Sequence, residues 1–293
     1  MGTTINTNME SIRARTSIHK VSSAIGKTMA KLASGLKINS AADDAAGLAI
    51  ATNMTSDVGA LSVSVRNAND GISMAQTAEG AMDEITNSLQ QVRELAVQAK
   101  SGQYGSQDVQ AMQQQADALL SDINRTAGQT AFNGQKLLDG SFSKDVFVGT
   151  QPGDKGVNVS VASMSVENLG IDSNANLASV MSQGAAQEAG AANGGQFSLT
   201  ANPDRAIGII DAALGRVNAE KSKMGAATNQ LGSIVNNLDT ASESTQASRS
   251  RIMDTDYAQS ASEMTRNLIL NNAATATLAQ ANVNQQSVLN LLK

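Results

Sequence analysis

Apolar residues recur along much of this chain at alternating steps of three and four, the spacing that places side chains on one face of a helix. The longest unbroken series consists of Ala75, Ala78, Met82, Ile85, Leu89, Val92, Ala96 and Ala99. Two glycines in SGQYGSQ (101–107) interrupt it, and the spacing resumes from Val109 to Ile123. The pattern predicts two helices joined by a short connection, as an antiparallel helical hairpin.

The same spacing returns in the second half of the chain. It runs from Ile210 to Leu238 and then weakens, because Ser242, Thr245 and Arg249 occupy the next seam positions. Pro203 fits the first turn of a helix, where its missing N–H leaves no hydrogen bond unmade. We predict one long helix over about 204–252, on the order of 70 Å at about 1.5 Å per residue.

Both ends of the chain carry apolar stripes, although chain termini ordinarily are polar and fray. The stripes consist of Ile18, Val21, Ile25 and Leu32 near the start, and Tyr257, Met264, Leu268, Leu278, Leu289 and Leu292 near the end. Each stripe needs a partner, which is either the other terminus or another copy of the chain. These residues are therefore the candidate assembly seams.

The middle of the chain has a different pattern. Alternating runs at 145–149 and 157–166, separated by the turn sequence TQPGDKG, predict a β-hairpin near 145–166. The Gly- and Ala-rich stretch that follows predicts a surface loop or short helix. The fold class is mainly α: a long coiled-coil-like helical bundle from paired N- and C-terminal segments, with a small β-hairpin at mid-chain.

Composition excludes several classes of function. The 293 residues carry a net charge of -5, no cysteine, a single histidine (His19) and 2% aromatics. A nucleic-acid binder would be basic, and thiolate metal sites and histidine triads need residues that the chain lacks. No apolar run is long enough for a membrane span, and the first residues lack the apolar core of a cleaved signal. We expect no cofactor and no bound metal.

The stretch LASGLKINSAADDAAGLAIA (32–51) holds two adjacent carboxylates, Asp43 and Asp44. Paired carboxylates can act as acid and base or bind a cation, but neighbours on a helix point about 100° apart. Helix termination explains them better: Gly35 is a candidate C-cap, and Ser40 a candidate N-cap with Asp43 in the capping-box position. We interpret the stretch as a joint between two helical segments.

RSRIMDTDY (249–257) is the corresponding stretch on the returning chain, with alternating charges at Arg249, Arg251, Asp254 and Asp256. Such charges usually form ion pairs at a joint or between subunits. We predict that Arg249 or Arg251 lies near Asp43 or Asp44, within one subunit or across a contact. No nucleophile with a partnering base is visible, so we expect no enzyme activity.

Several long stretches together resemble the bacterial flagellins, the subunits of flagellar filaments. The resemblance is carried by residues 32–51, by RNANDGISMAQTAEGAMDEITNSLQQVRELAVQA (66–99), by AGQTAFNGQKLLDG (127–140) and by residues 247–293. It implies an inner coiled-coil domain from 1–42 and 255–293, and an outer helical domain from 43–173 and 204–254. Residues 174–203 form a short loop where many family members insert variable domains.

The resemblance also implies a function. Flagellins are structural subunits that self-assemble into a hollow helical polymer, the propeller for swimming or swarming. They are exported unfolded through a type III channel without a cleaved signal peptide, and their termini fold on assembly. The implied location is extracellular, and the implied partners are other copies, an export chaperone, and the cap and hook–filament junction proteins.

A host Toll-like receptor recognises many flagellins on the helical domain, and the resemblance places that region at Gln91, Arg93, Glu94, Leu95 and Gln115. Strongly recognised flagellins have an Arg at the position of Gln91 and a Glu at that of Gln115. Charged contacts anchor such surfaces, so we expect weakened receptor affinity here.

Three alternatives compete with a filament subunit. A secreted adhesin or effector would need a large outer domain, which 174–203 cannot supply. A hook–filament junction protein has similar terminal helices, but VRELAVQA and SRSRIMDTDYA fit flagellin better. An enzyme would need a site that the sequence does not show.

Overall fold

The computed structural model describes residues 7–149, 153–154, 156–171, 197–200 and 203–290. Five helices are present in these ranges: α1 (Met9–Ser34), α2 (Ala45–Lys100), α3 (Ser106–Gln129), α4 (Pro203–Met253) and α5 (Tyr257–Asn290). Four short strands form two antiparallel pairs: β1 (Ala131–Phe132) with β2 (Gln135–Lys136), and β3 (Ser143–Val146) with β4 (Val157–Ser160). The predicted fold class, mainly α with a small mid-chain β-hairpin, is confirmed.

The chain divides into two compact units. One comprises Met1–Gly59 with Ser242–Lys293, and the other comprises Ala60–Ala241. Helices α2 and α4 contribute residues to both. The predicted loop at 174–203 lies mostly outside the described residues.

The core of the 60–241 unit is the predicted α2 series. Every member from Ala75 to Ala96 is almost fully buried, and Ala99 is half-buried. Ile210, Val217, Met224 and Leu231 of α4 are buried in the same cluster. Apolar residues at helical spacing exclude water most effectively when two such stripes face each other, and this is how the unit is built.

Three ion pairs join α2 to α4 in that unit. Arg93 pairs with Asp211, Lys100 with Asp204, and Asp83 with Lys221. Each step forward on one helix matches an equal step backward on the other, so the two helices are antiparallel.

One carboxylate sits among the core positions: Glu220 is 7% exposed and accepts from Lys223 Nζ at 2.5 Å. Lys223 on the same helix pairs with this charge. The apolar spacing did not predict a carboxylate at this buried position.

The mid-chain hairpin is shorter than predicted. Val146 pairs with Val157 and Ser143 with Ser160, and one further backbone bond joins Val161 N–H to Phe142 O at 3.3 Å. Beyond Val161 the backbone has other partners: Met164 N–H donates to Leu138 O at 2.9 Å, and Val166 N–H donates to Asn124 Oδ1 at 2.8 Å. The predicted strands at 147–149 and 161–166 are therefore wrong, although Val161, Met164 and Val166 remain buried.

The hairpin is fixed to α2 by polar contacts and close packing. Ser64 Oγ donates to Gly149 O at 2.9 Å, and Asn67 Nδ2 donates to Phe147 O at 3.1 Å. A Cβ on Gly71 would lie 2.9 Å from Val146 Cγ2 and 3.1 Å from Leu231 Cδ1. Only glycine allows this approach of helix, hairpin and α4.

Candidate assembly surface and joint

The terminal helices α1 and α5 pack against each other in antiparallel fashion. Asn8 Nδ2 donates to Ala281 O at 3.0 Å, and Asn271 Nδ2 donates to Ser22 Oγ at 3.3 Å. The buried and half-buried side chains alternate by three and four on both helices. On α1 they include Ser11, Ala14, Ile18, Val21, Ile25, Thr28 and Leu32, and on α5 Ser260, Met264, Asn267, Asn271, Ala274, Leu278 and Ala281. We call this contact the α1/α5 seam.

The seam contains only part of the predicted α5 stripe. Met264 and Leu278 lie in it, whereas Tyr257 is 64% exposed and Leu268 is 46% exposed, so these two do not pack against α1 and their burial against another copy stays a prediction. Small and polar side chains such as Ser260, Ala274 and Ala281 complete the seam on α5. The side chain of Leu289 and the whole of Leu292 lie outside the described residues.

The large apolar residues left out of the seam are exposed on both helices. On α5 these are Tyr257, Leu268, Ile269, Leu270 and Val283, and on α1 they are Met9, Ile12 and Met29. Each is at least 46% exposed. Contiguous exposed apolar surface marks an interaction site on proteins that are soluble as monomers. The terminal helices thus bury one face within the chain and present further apolar side chains outward.

The predicted cap at Gly35 is confirmed. Gly35 follows α1 with φ 71° and ψ 4°, and its N–H donates to Lys31 O at 2.9 Å. A left-handed residue at this place satisfies a terminal carbonyl, and glycine adopts it without steric cost. The chain leaves α1 abruptly at this point.

The two predicted joint segments, 34–44 and 249–257, are hydrogen-bonded to each other through their backbones. Lys37 N–H donates to Met253 O at 2.6 Å, and Thr255 N–H donates to Gly35 O at 3.0 Å. These bonds form an isolated antiparallel bridge between Leu36 and Asp254. The outgoing and returning chains are therefore fixed to each other where α1 ends and α5 is about to begin.

Asp43 and Asp44 each accept hydrogen bonds from the chain close by. Asp44 Oδ1 accepts from Gly47 N–H at 2.9 Å, which makes Asp44 the N-cap of α2. Asp43 Oδ2 accepts from the N–H groups of Asn39 and Ser40 and from the Ser40 hydroxyl, at 3.1–3.2 Å. The prediction of an N-cap at Ser40 is wrong: Ser40 opens a turn, and α2 begins five residues later, at Ala45.

The hydrogen bonds to Asp43 favour its charged form. The Asn39 N–H, followed by the Ser40 hydroxyl, lowers the pKa of Asp43 below its ordinary value of 3.8. The carboxylate is exposed, and it holds the 39–43 turn together. It is a structural anion, already engaged by donors of its own chain.

The returning segment is built in the same way. Asp256 Oδ1 accepts from Gln259 N–H at 3.1 Å and so caps α5, while Asp254 Oδ2 accepts from Ser250 Oγ at 2.5 Å. Arg249 Nη1 donates to Thr55 Oγ1 at 3.3 Å, and Arg251 is exposed. In the described chain neither arginine forms an ion pair with Asp43 or Asp44, so the predicted proximity stays a prediction for the assembled state.

A small hollow lies beside Arg249 at the joint. Its volume is about 180 Å³, and Leu36, Thr55 and Met253 contribute to its lining. Small-molecule sites usually start at about 300 Å³. Among the described residues no three carboxylate, histidine or cysteine side chains are grouped as metal ligands would be.

The predicted receptor region lies on α2 and α3. Gln91, Arg93, Glu94 and Gln115 are exposed, and Leu95 is half-buried against the core. Arg93 Nε donates to Asp211 Oδ1 at 2.6 Å, and this carboxylate raises the pKa of Arg93 above its ordinary value. Arg93 is thus already held by α4, a contact that sequence spacing could not reveal.

Long helices with apolar seams and outward apolar side chains are typical of a structural protein that assembles with other copies. Family models agree: residues 5–143 match the bacterial flagellin N-terminal helical region, and residues 207–292 match the C-terminal helical region. The chain belongs to the bacterial flagellin family.

Relatives match over their whole lengths. A flagellin of Bacillus subtilis (strain 168) is 37% identical, with 99% of both chains covered. The flagellar filament 31.3 kDa core protein of Treponema maltophilum is 36% identical, again over 99% of both chains. Among solved structures, the crystal structure of Bacillus cereus flagellin is 22% identical with a TM-score of 0.43, covering 59% of this chain and 88% of that one.

The chain is a structural subunit of the bacterial flagellar filament, and motility follows from that role. Its 293 residues are consistent with a short form that consists of the core helical regions. None of the described helices is long and apolar enough to cross a membrane.

Proposed function

We propose that the terminal helices are the polymerising element of this filament subunit, with the α1/α5 seam made within each chain and the outward apolar residues packed between chains. The observation that carries the proposal is the exposure of Leu268, Ile269 and Leu270, at 46%, 63% and 48%, on a helix that already buries another stripe of side chains against α1. Heterologous contacts of one chain with the next generate an open helical polymer.

The test replaces two of these residues, as L268S/I269S, in the full chain. Burying these side chains between copies removes apolar surface from water, at about 25 cal/mol per Å². We expect the variant to form no filaments under conditions in which the unmodified chain does, as seen by negative-stain microscopy. Gln280→Ser on the same helix changes an exposed polar residue and serves as the control. Normal filaments from L268S/I269S would overturn the proposal.

The joint is proposed to hold the end of α1 beside the start of α5. The Leu36–Asp254 bridge and the caps at Asp44 and Asp256 support this role, because they fix the backbone of both segments. Arg249 and Arg251 are proposed to meet Asp43 or Asp44 of a neighbouring copy. Filament coordinates with all of these groups farther apart than about 8 Å, the Debye length at physiological salt, would contradict that contact.

The further partners follow from membership of the family. We propose an extracellular filament, reached by type III export without a cleaved signal peptide, and contacts with an export chaperone, a cap and hook–filament junction proteins. No catalytic role is proposed.

Recognition by the Toll-like receptor is proposed to be weak. Gln91 and Gln115 are exposed neutral side chains where strongly recognised flagellins carry charge, and Arg93 is bound by Asp211. The experiment is a receptor-reporter assay on the chain and on Q91R/Q115E. We expect the substitutions to increase potency. Full potency of the unmodified chain would contradict the proposal.

A further inference from the structure

Helix α1 carries an aligned row of positive charge. Arg13, Lys20 and Lys27 follow each other at seven-residue steps, which differ by only about 20° around a helix. Lys31 lies one turn beyond Lys27. At about 1.5 Å per residue the row is about 27 Å long. We call these four residues the cationic row.

The row is free of ion pairs in the described structure. Arg13, Lys20 and Lys27 are exposed and Lys31 is half-buried, and none of them takes part in an ion pair. The charge of Lys27 contributes to lowering the pKa of Asp43, whose hydrogen bonds come from Asn39 and Ser40. Among the described residues, no carboxylate forms an ion pair with the row.

The charge of α1 contrasts with the rest of the chain. Met9–Ser34 holds five Lys or Arg and one Glu, a net charge of +4. The whole chain carries -5, so the remainder carries -9. One helix of each copy is thus complementary in charge to the rest of any other copy.

Helix α4 offers the matching carboxylates. Five acidic residues lie on it, and Asp204, Asp211 and Glu220 are engaged in ion pairs. The other two, Asp239 and Glu243, are exposed, lie one helical turn apart on one face, and form no ion pair. Their four-residue step equals that of Lys27 and Lys31.

We propose that the cationic row of one copy contacts the Asp239–Glu243 face of another copy, as an electrostatic contact that sets how neighbouring copies align. The proposal rests on the proposed function, since it needs a polymer. Opposite charges repeated at fixed spacing on two rigid helices favour one relative position over positions shifted along the axis. The contact adds specificity to the apolar packing.

The cleanest test compares R13E with R15E in the full chain. Both residues are exposed arginines of α1, both changes alter charge by the same amount, and Arg15 lies about 160° round the helix from Arg13. We expect R13E, and more strongly K20E/K27E, to raise the critical concentration for polymerisation. For the double variant the rise is about tenfold, because attractive contacts become repulsive. R15E should polymerise like the unmodified chain.

Two further measurements sharpen the test. The gap between K20E/K27E and the unmodified chain should shrink between about 0.05 M and about 0.5 M NaCl, as salt screens exposed charges. D239K/E243K should be impaired in the same way, and the combined K20E/K27E/D239K/E243K chain should recover polymerisation. Circular dichroism of the variants checks that helix content is unchanged.

Several outcomes would overturn the proposal. Equal loss in R13E and R15E would indicate a general charge effect, and failure of the combined chain to recover would exclude the Asp239–Glu243 contact. Unchanged polymerisation of K20E/K27E, with lost binding to vesicles of anionic lipid, would assign the row to a different anionic partner. If the unmodified chain forms no filament, both the proposed function and the proposed contact are excluded. If the cationic-row variants polymerise like the unmodified chain, only the contact is excluded.

Discussion

Arg93 Nε donates to Asp211 Oδ1 at 2.6 Å, across the two helices that form the core of the 60–241 unit. Lys100, seven residues after Arg93 on α2, pairs with Asp204, seven residues before Asp211 on α4. Asp83, ten residues before Arg93, pairs with Lys221, ten residues after Asp211. A shift of one heptad would keep apolar residues facing each other but would break most of these pairs. The ion pairs therefore distinguish among alignments that the apolar spacing alone leaves equivalent.

The first prediction tests this pair by exchange of charge. Arg93 and Asp211 are about half exposed, at 45% and 48%, so solvent screens the pair and its contribution to stability is small. We expect Asp211→Lys to lower the free energy of unfolding, because it places two positive charges side by side. R93D/D211K should restore most of the loss, since the exchanged charges attract again. Urea unfolding gives these values, and a double variant as unstable as the single one would show that the pair does not interact.

The second prediction concerns glycines of α2. Gly71→Ala places a Cβ against Val146 and Leu231 at 2.9 and 3.1 Å, so we expect a loss of about 1–3 kcal/mol from overpacking. Gly80 is the matched control, because nothing lies within 4 Å of a Cβ there. Gly80→Ala should stabilise by about 0.5–1 kcal/mol through helix propensity. Thermal and urea unfolding compare them, and a stabilising Gly71→Ala would refute the close packing.

The third prediction concerns the caps at the joint. Asp44 and Asp256 each accept the third backbone N–H of the helix that follows. Replacing either by Ala should cost about 1 kcal/mol, whereas Asn, which also caps well, should retain most of the stability. Amide hydrogen exchange in the first turns of α2 and α5 provides the local measurement. Equal exchange in D44A and D44N would argue against a capping role.

The fourth prediction concerns acid. The folded pKa of Asp43 is lowered, so the stabilisation that this carboxylate gives the 39–43 turn is fully present above its ordinary value of 3.8. It is lost as the pH falls through the lower, folded pKa. We expect amide exchange at Asn39 and Ser40, corrected for its intrinsic pH dependence, to accelerate in this acidic range, and Asp43→Asn to remove that dependence. A carboxyl resonance of Asp43 that titrates at 3.8 or above would contradict the prediction.

Much of the helical plan was predictable from local pattern. Apolar residues at three–four spacing located α2, α3 and α4 because burial of one helix face is the dominant gain in packing such helices. Gly35 was recognisable as a cap, since few residues other than glycine end a helix in the left-handed conformation. The break at 101–107 followed from its glycines in the same way.

The α1/α5 seam was harder to predict. Hydrophobicity puts Tyr257 and Leu268 on the α5 stripe but does not tell whether that stripe meets α1 or another copy. The structure buries Ser260, Ala274 and Ala281. Close approach of two helices selects small side chains, and that requirement depends on the partner helix rather than on the residue itself. The start of α2 at Ala45, instead of near Ser40, likewise depends on contacts that the residue type does not reveal. Asp43 accepts hydrogen bonds within the 39–43 turn, and Asp44 caps α2.

The sequence by itself determined most of the helices, the family and the absence of residues for thiolate metal sites and histidine triads, because periodicity, caps and composition are local properties of the chain. Only the tertiary structure decided which apolar stripe of one helix packs against which stripe of another. It paired Arg93 with Asp211, joined Leu36 to Asp254, and left Leu268 exposed and the row from Arg13 to Lys31 without an ion pair. Contacts between distant residues depend on the alignment of whole helices, and many alignments satisfy the same apolar spacing.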